Sequence, residues 1–528
     1  MARPIVLSNG AMHVGLNNRA QLHDLYFPYV GMENHTIGKG LQHRIGVWVD
    51  GVFSWLESEA WKMDFSYPHT ALIGHIMARN EALGVTLEFD DTVDSDQNAF
   101  MRSIHVVNHR DTKRQIRLFM HQAFAIGDSR SNTDTVQYLP ENNAVMHYRG
   151  RRVFIISGLA DQQPFDQFAV GLFGIEGREG TWRDAEDGEL EPCMVEHGRV
   201  DSTLRFRLDI GPHESARVQY WIAAGTSIRD ALTVHKSLES GGMPGRFDST
   251  ASWWHNWLEP VLEVSKQLEH STREQFIHSA MILRSQLDKR GAVMASTDST
   301  MLNYSRDAYA YSWPRDGALV LWPLIRLGYQ KEPLAFFDFC RRGLHPTGYL
   351  NHKYRADGSL GSSWHPYVHA NGDVAAPIQE DETALVVFMF AQYYQLHQSD
   401  ELLDEYYQSF IQPMAEWMAG HIDATTSLPK PTYDLWEENY MVTSFTTSVT
   451  YAALLAAAEL AEAAKDQESA VNWRSVADDM QRASAKQLYS EGRQSIIKGL
   501  RPGEDGSYQQ DQTLDMSGVF GSFMYGLF

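Results

Sequence analysis

The hydrophobic period changes once along this chain, and that change constrains the fold more than any other feature. Up to about residue 225, apolar residues recur at every second position between Gly, Asn and Asp clusters, the pattern of half-buried strands. HRIGVWVDG (43–51), GVTLEFDDTV (84–93), RSIHVVNH (102–109), KRQIRLFMHQAF (113–124), RRVFIISG (151–158), STLRFRLDIG (202–211) and ARVQYWIAAG (216–225) are the clearest cases. Each such strand needs a second apolar face, so two packed antiparallel sheets are expected. SIRDALTVHKSLES (227–240) then reads as a helix, GGMPG (241–245) interrupts it, and nearly everything beyond is helical. The chain divides into a β-sandwich domain with a linker helix, residues 1–250, and an α-helical domain, residues 251–528.

Eight helices are predicted in the second part: 270–288, 316–328, 331–343, 381–397, 400–422, 443–463, 466–489 and 515 onward. Ser271 and Glu274 form a capping-box pattern at the start of the first. The helices are of two kinds. ELLDEYYQSFIQPMAEWMAG (401–420) and ESAVNWRSVADDMQRASAKQLY (468–489) carry charge along one face. GALVLWPLI (317–325), TALVVFMFA (383–391), SVTYAALLAAA (448–458) and MSGVFGSFMYGLF (516–528) are apolar nearly all round, which requires burial on every side. Their rough alternation implies a ring of inner helices wrapped by outer ones, the inner helices all starting at one mouth.

YAYSWPRD (309–316), PIQEDE (377–382), TYDLWEENY (432–440) and DQTLD (511–515) precede the apolar helices and put acids, often with aromatics, at that mouth. An acid at one helix start is ordinarily a cap or dipole partner, stabilising by ~0.3–1 kcal/mol. Four at a common mouth, two of them with a tryptophan, favour a pocket. Trp313, Trp436, Arg315, Asp316 and several carboxylates would line it. Aromatic faces suit the C–H faces of a sugar ring, and Asp and Arg suit adjacent hydroxyls. Carboxylates also supply glycoside hydrolysis, which needs one protonated acid for the leaving oxygen. Asp434, Glu437 and Glu438 lie within five residues; mutual repulsion, with Trp436 restricting solvent, is expected to raise the pKa of one of them.

Composition narrows the partners. With 67 acidic against 45 basic residues, the net charge of −22 disfavours nucleic acid and anionic membrane. The 14 Trp, 23 Tyr and 24 Phe supply ring faces for saccharides. Cys193 and Cys340 cannot make a disulfide framework; Cys340, in AFFDFCRRGL, reads as a buried core thiol. No continuous apolar segment at the N-terminus marks a secretory signal, and no run reaches the roughly 18–20 apolar residues of a membrane helix. A cytoplasmic location is expected. Among 22 histidines there is no HExxH or clustered His/Cys spacing, and no Gly-rich phosphate loop, so neither a metal nor a cofactor is expected. His365 and His369 in WHPYVH are four apart, but Pro366 disfavours a helical pair and a pocket loop or plain packing is expected.

SWPRDGALV, GSLGSSWHPY (358–367), PIQEDETAL and YDLWEE followed by SFTTSV together resemble glycoside hydrolase family 15, the inverting glucoamylases and their bacterial relatives. The resemblance spans essentially the whole chain and implies a β-supersandwich followed by an (α/α)6 toroid. By that resemblance Glu437 is the general acid, and Arg315 and Asp316 grip the hydroxyls of the non-reducing-end glucose. Trp364 matches a subsite tryptophan; Trp313, Trp436 and Glu438 match positions lining the first subsites, with Tyr311 beside them. Gln379, Glu380, Asp381 and Glu382 sit at the family's fourth-helix motif, where with Asp434 they would form a supporting network. The family's catalytic base is a glutamate between the eleventh and twelfth helices. Eight helices are counted here, so the toroid is expected to be incomplete, the base absent from this chain and the sequence C-terminally truncated.

The resemblance implies exo-acting release of glucose from α-glucans or α-gluco-oligosaccharides. Two other enzymatic readings stay open: an inverting disaccharide phosphorylase, in which phosphate replaces the activated water, and a trehalase or α-1,6-specific relative. An inactive sugar-binding remnant would also fit the missing base.

Overall fold

The computed structural model describes residues 3–36, 43–68, 70–128, 131–300, 309–369, 372 and 374–528. It forms two compact units, Met1–Asp288 with Ser296–Ala310, and Lys289–Ala295 with Tyr311–Phe528.

The first unit is built on antiparallel sheets. The largest runs in the order Val195–Gly198, Asp134–Leu139, Ala144–Arg149, Arg152–Ala160, Ser215–Gly225, Ala99–Asn108, Val85–Val93, Ile73–Asn80 and Lys62–Ser66. A second runs Gln167–Leu172, Val200–Ile210, Arg114–Ala123, Ile45–Val49 and Val52–Trp55, and a four-stranded meander occupies Ile5–Asn34. All seven strands expected from alternation are present within a few residues of their expected limits. Alternation works here because strand side chains point to opposite faces by turns: Ile104 and Val106 are fully buried while Ser103 and His105, which alternate with them, are not. One charged pair is also buried. Arg102 donates twice to Asp91, at 2.8 and 2.6 Å, in the bidentate geometry that offsets the cost of desolvation.

The four-residue α1 (Thr181–Asp184) lies between strands. Helix α2 (Ile228–Gly241) is capped by Ser227, whose hydroxyl accepts from the Asp230 amide at 3.1 Å. Its Ala231 and Leu238 pack with Trp221 and Ala223 of the large sheet. Helices α3 (Met243–Ser265) and α4 (His270–Ser285) follow. The capping box expected at Ser271 does not form, because α4 begins at His270 with Glu269 at its cap and no side chain capping it.

The second unit contains α5 (Pro314–Arg326), α6 (Lys331–Gly343), α7 (Glu380–His397), α8 (Asp400–Tyr406), α9 (Gln412–Gly420), α10 (Ser444–Ala463), α11 (Gln467–Gln487) and α12 (Met516–Tyr525). The single helix expected over 400–422 is divided by a widened π-helical turn, Tyr407–Ile411, just before Pro413, which has no N–H to continue the normal ladder. The two kinds of helix are as expected for α10 and α11, but α12, expected to be buried on every side, exposes Met516, Phe520 and Phe523. Helix α10 is buried almost all round and packs against α7, α11 and α12. Helix α11 buries only the stripe Ala470, Trp473, Ala477, Met480, Ala483 and Ser484, as a helix with one covered face does. Gly317 lets α5 approach α6; a Cβ there would stand 2.3 Å from the Phe336 ring. Cys340 is buried in α6, and burial pushes its thiol far above the ordinary range.

Among the elements not expected are α3 and two small sheets in the second unit. A small antiparallel sheet, Thr432–Tyr433, Tyr440–Thr443, Gly499–Pro502 and Tyr508–Asp511, lies among the helices. Its first hairpin carries the loop 434–439. Among the described residues no helix is long and apolar enough to cross a membrane.

Candidate active site

The 434–439 loop is shaped by Asp434. Its buried carboxylate accepts from the amides of Glu438 (2.9 Å) and Asn439 (3.2 Å) and from the Asn439 side chain (3.0 Å), an Asx-type turn. Its carbonyl accepts from the Glu437 amide at 2.9 Å. Glu437 is thereby held at φ 60°, a left-handed conformation uncommon for a residue with a Cβ and found where the surroundings over-determine it. The loop is tied to the start of α7 twice: Gln379 donates to the Asp434 carbonyl, and the Tyr433 amide donates to Ile378 at 3.1 Å. Asp434 is thus a builder of the site.

Glu437 faces buried Trp313, whose indole N–H donates to its Oε1 at 2.9 Å, and His352, whose Nε2 lies 3.1 Å from the same oxygen. Around them stand aromatics. Trp313 packs against Tyr311 and Trp364 with ring centroids 5.9 and 5.8 Å away. The Lys353 ammonium sits over the Trp364, Tyr311 and Trp313 rings at 3.1, 4.6 and 5.2 Å, a cation–π arrangement. Tyr311, Trp313, Trp364 and Glu437 are therefore brought together. Trp436 is 53% exposed and donates to Asp515 at 2.9 Å, and Glu438 is exposed.

The first turns of α5 and α7 form the other part. Arg315 Nη1 donates to Gln379 Oε1 and Asp381 Oδ2, both at 3.0 Å, and lies 3.6 Å from Glu382 and 3.8 Å by Nη2 from Asp316. Gln379, Glu380, Asp381 and Glu382 are fully buried. One oxygen of Glu380, one of Asp381 and both of Glu382 have no hydrogen-bond partner. Arg315 is the counter-charge of this helix start and bonds Gln379 and Asp381.

The titration pattern corrects the expectation for the DLWEE acids. Burial alone would push the Glu437 carboxyl up, but the His352 hydrogen bond and charge, with Arg315 and Lys353, outweigh it and hold the group below its ordinary value. Trp436, expected to restrict solvent, is itself exposed, as is Glu438. The raised carboxyls are in the helix starts. Burial, then neighbouring Asp381, pushes Glu380 well up; burial does the same for Glu382 against the pull of Arg315. Asp316 is raised by its low-dielectric surroundings and by Glu437 and Asp381, with Arg315 opposing. Arg315 stays cationic because three carboxylates outweigh its desolvation.

His352 and Lys353 are the site residues that sequence reading missed. They lie in NHKY (351–354), outside any helix or strand and without a motif to mark them. His365 and His369 lie in a loop as expected, each stacked on a tyrosine: His365 on Tyr433 at 3.6 Å, His369 on Tyr440 at 3.9 Å. Burial and then the charge of His352 lower His365 to about 4, Glu437 opposing.

A carboxylate set between directional donors and indole faces, with a buried guanidinium nearby, offers one of the two carboxyl groups that glycoside hydrolysis uses. Residues 272–527 match the profile of the glycosyl hydrolases family 15. Over 99% of its length it is 21% identical to an uncharacterized glycosyl hydrolase of Methanocaldococcus jannaschii, covering 78% of that protein. Among solved structures, a bacterial glucoamylase complexed with acarbose superposes with a TM-score of 0.74 at 15% identity, over 99% of this chain and 75% of that one. A putative kojibiose phosphorylase from human microbiome gives 0.54 at 9% identity, over 94% and 69%. The likeness shows the fold, an N-terminal β-sandwich and a helical part of the (α/α)6-toroid kind.

Proposed function

We propose that the chain is an inverting, exo-acting α-glucosidase of the glucoamylase type, releasing glucose from the non-reducing ends of α-glucans or α-gluco-oligosaccharides. The observation that carries this reading is the single carboxylate oxygen of Glu437 held by Trp313 and His352 beside an aromatic wall. Glu437 is assigned as general acid, delivering its proton to the glycosidic oxygen as the C1–O bond breaks. Arg315 and Asp316 are assigned to the hydroxyls of the terminal glucose, Asp316 being the partly open member of the pair, with 40% of its side chain accessible. Tyr311, Trp313 and Trp364 would stack against sugar rings. Since Glu437 is low in the free protein, the reading requires bound saccharide to exclude water and lift it toward its protonated form. No base is assigned on this chain.

The test compares maltose with α-glucosyl fluoride, whose leaving group needs no proton. Glu437→Gln should lower kcat/KM on maltose by about 10²–10⁴-fold and affect the fluoride far less. Azide, supplied as a nucleophile, should yield the β-glucosyl azide. Equal losses on both substrates would overturn the acid assignment. Glucose 1-phosphate formed only when phosphate is present would replace hydrolysis by phosphorolysis.

A further inference from the structure

We propose that His352, His365 and Glu437 form a binding site for one divalent cation of the zinc kind. Each residue offers a ligand atom, and the three atoms lie within 4.8 Å of one another. His352 Nε2 and Glu437 Oε1 are already 3.1 Å apart, close to the roughly 3.3 Å that separates two ligands on a tetrahedral ion with bonds of about 2.0–2.1 Å. The His352 and His365 rings approach with centroids 5.6 Å apart, so bringing in the third ligand needs a side-chain adjustment and no movement of the fold.

A second observation is independent of spacing. His352 Nδ1 and His365 Nε2 are both buried without a hydrogen-bond partner, and His352 is only 5% exposed. An unsatisfied buried polar atom costs about 1–3 kcal/mol, a cost that an ion bound at His365 Nε2 would lower; His352 Nδ1 lies across its ring from the Nε2 that faces Glu437 and is not relieved. The rings and the carboxylate are also braced. Tyr433 stacks face to face on His365, at an interplanar angle of 9°, and the Trp313 N–H holds Glu437 Oε1. Outer contacts of this kind orient metal ligands in proteins.

Two imidazoles and one carboxylate choose the ion. Nitrogen donors suit Zn2+, Cu2+ or Ni2+, whereas Mg2+ and Ca2+ take oxygen sets. Three protein ligands leave a fourth position for water. The site is inhibitory in this reading, because the cation occupies the carboxylate that must carry the proton. That consequence rests on Glu437 being the acid; the binding itself does not.

The experiment titrates the whole chain with Zn2+ by calorimetry and with Co2+ by visible absorption. One ion per chain is expected, with the visible bands of low-coordinate Co2+ and no comparable binding of Mg2+ or Ca2+. His365→Ala and Glu437→Gln should each weaken Zn2+ binding at least tenfold, while His213→Ala, at an exposed histidine, should not. If His365→Ala fails to fold, as judged by circular dichroism, Glu437→Gln carries the same readout. Absence of one-to-one binding, or affinity unchanged in both variants, overturns the site. Saturating Zn2+ should reduce turnover at least tenfold, reversibly with a chelator. Binding that is lost in the variants but leaves turnover untouched upholds the site and removes Glu437 as the acid.

Discussion

The indole N–H of Trp313 donates to Glu437 Oε1 at 2.9 Å across 124 residues of chain. Trp313 stands just before α5 and Glu437 in the hairpin loop 434–439, so this one bond joins two separately built parts of the pocket. Trp313→Phe keeps a ring and deletes the donor. A hydrogen bond to a charged group contributes about 1.5–3 kcal/mol, so kcat/KM on maltose should fall roughly 10- to 150-fold, with the far-ultraviolet spectrum unchanged. A change within twofold would show that the bond does not position the carboxylate.

His352 holds the Glu437 carboxyl low through its hydrogen bond and charge. Removing it in His352→Gln should raise the Glu437 pKa. A general acid must be protonated, so the alkaline limb of the kcat/KM profile should move to higher pH. A limb that stays in place or moves to lower pH counts against the pairing.

Arg315 satisfies Gln379 and Asp381 with one nitrogen and faces Glu382 as well. Lysine keeps the charge but is a compact point donor and cannot reproduce the planar fork. Arg315→Lys should destabilise by about 2 kcal/mol, less than the roughly 3–5 kcal/mol for leaving a buried charge unpaired. It should also raise KM for maltose. Calorimetry and steady-state kinetics together check it, and an unchanged melting temperature would contradict the buried network.

Glu380 is fully buried, one of its oxygens is unpartnered, and its pKa is raised well above 4.5. The folded state therefore prefers the protonated form. The stability tied to it is complete below the unfolded value of 4.5 and is lost as pH rises through the folded value. Glu380→Gln mimics the protonated acid at every pH. Urea unfolding should show little difference at pH 4.5 and a gain on the order of 1–2 kcal/mol at pH 8. An equal effect at both values would mean that Glu380 is ionised in the folded chain.

What the sequence determined by itself is the order and kind of the elements. Strand alternation and helical period are local, set by where side chains point from a strand or a helix, so Val85–Val93 and α10 could be read without any knowledge of what covers them. The acids and aromatics of the pocket were legible too, since SWPRD, QEDE and DLWEE each sit beside an apolar helix. Tertiary structure alone decided the rest. The hairpin that carries Glu437 pairs two and four residues, too few for a period to register. His352 and Lys353 carry no local signal and become site residues only because the fold sets them against Trp313 and Trp364. The direction of each pKa shift followed the same rule. Repulsion among neighbours in sequence would have raised a DLWEE acid, yet Glu437 is lowered by a histidine 85 residues away, and the raised acids of the site are those at the starts of α5 and α7. Charge is written in the sequence, but desolvation and distance exist only once the chain has packed.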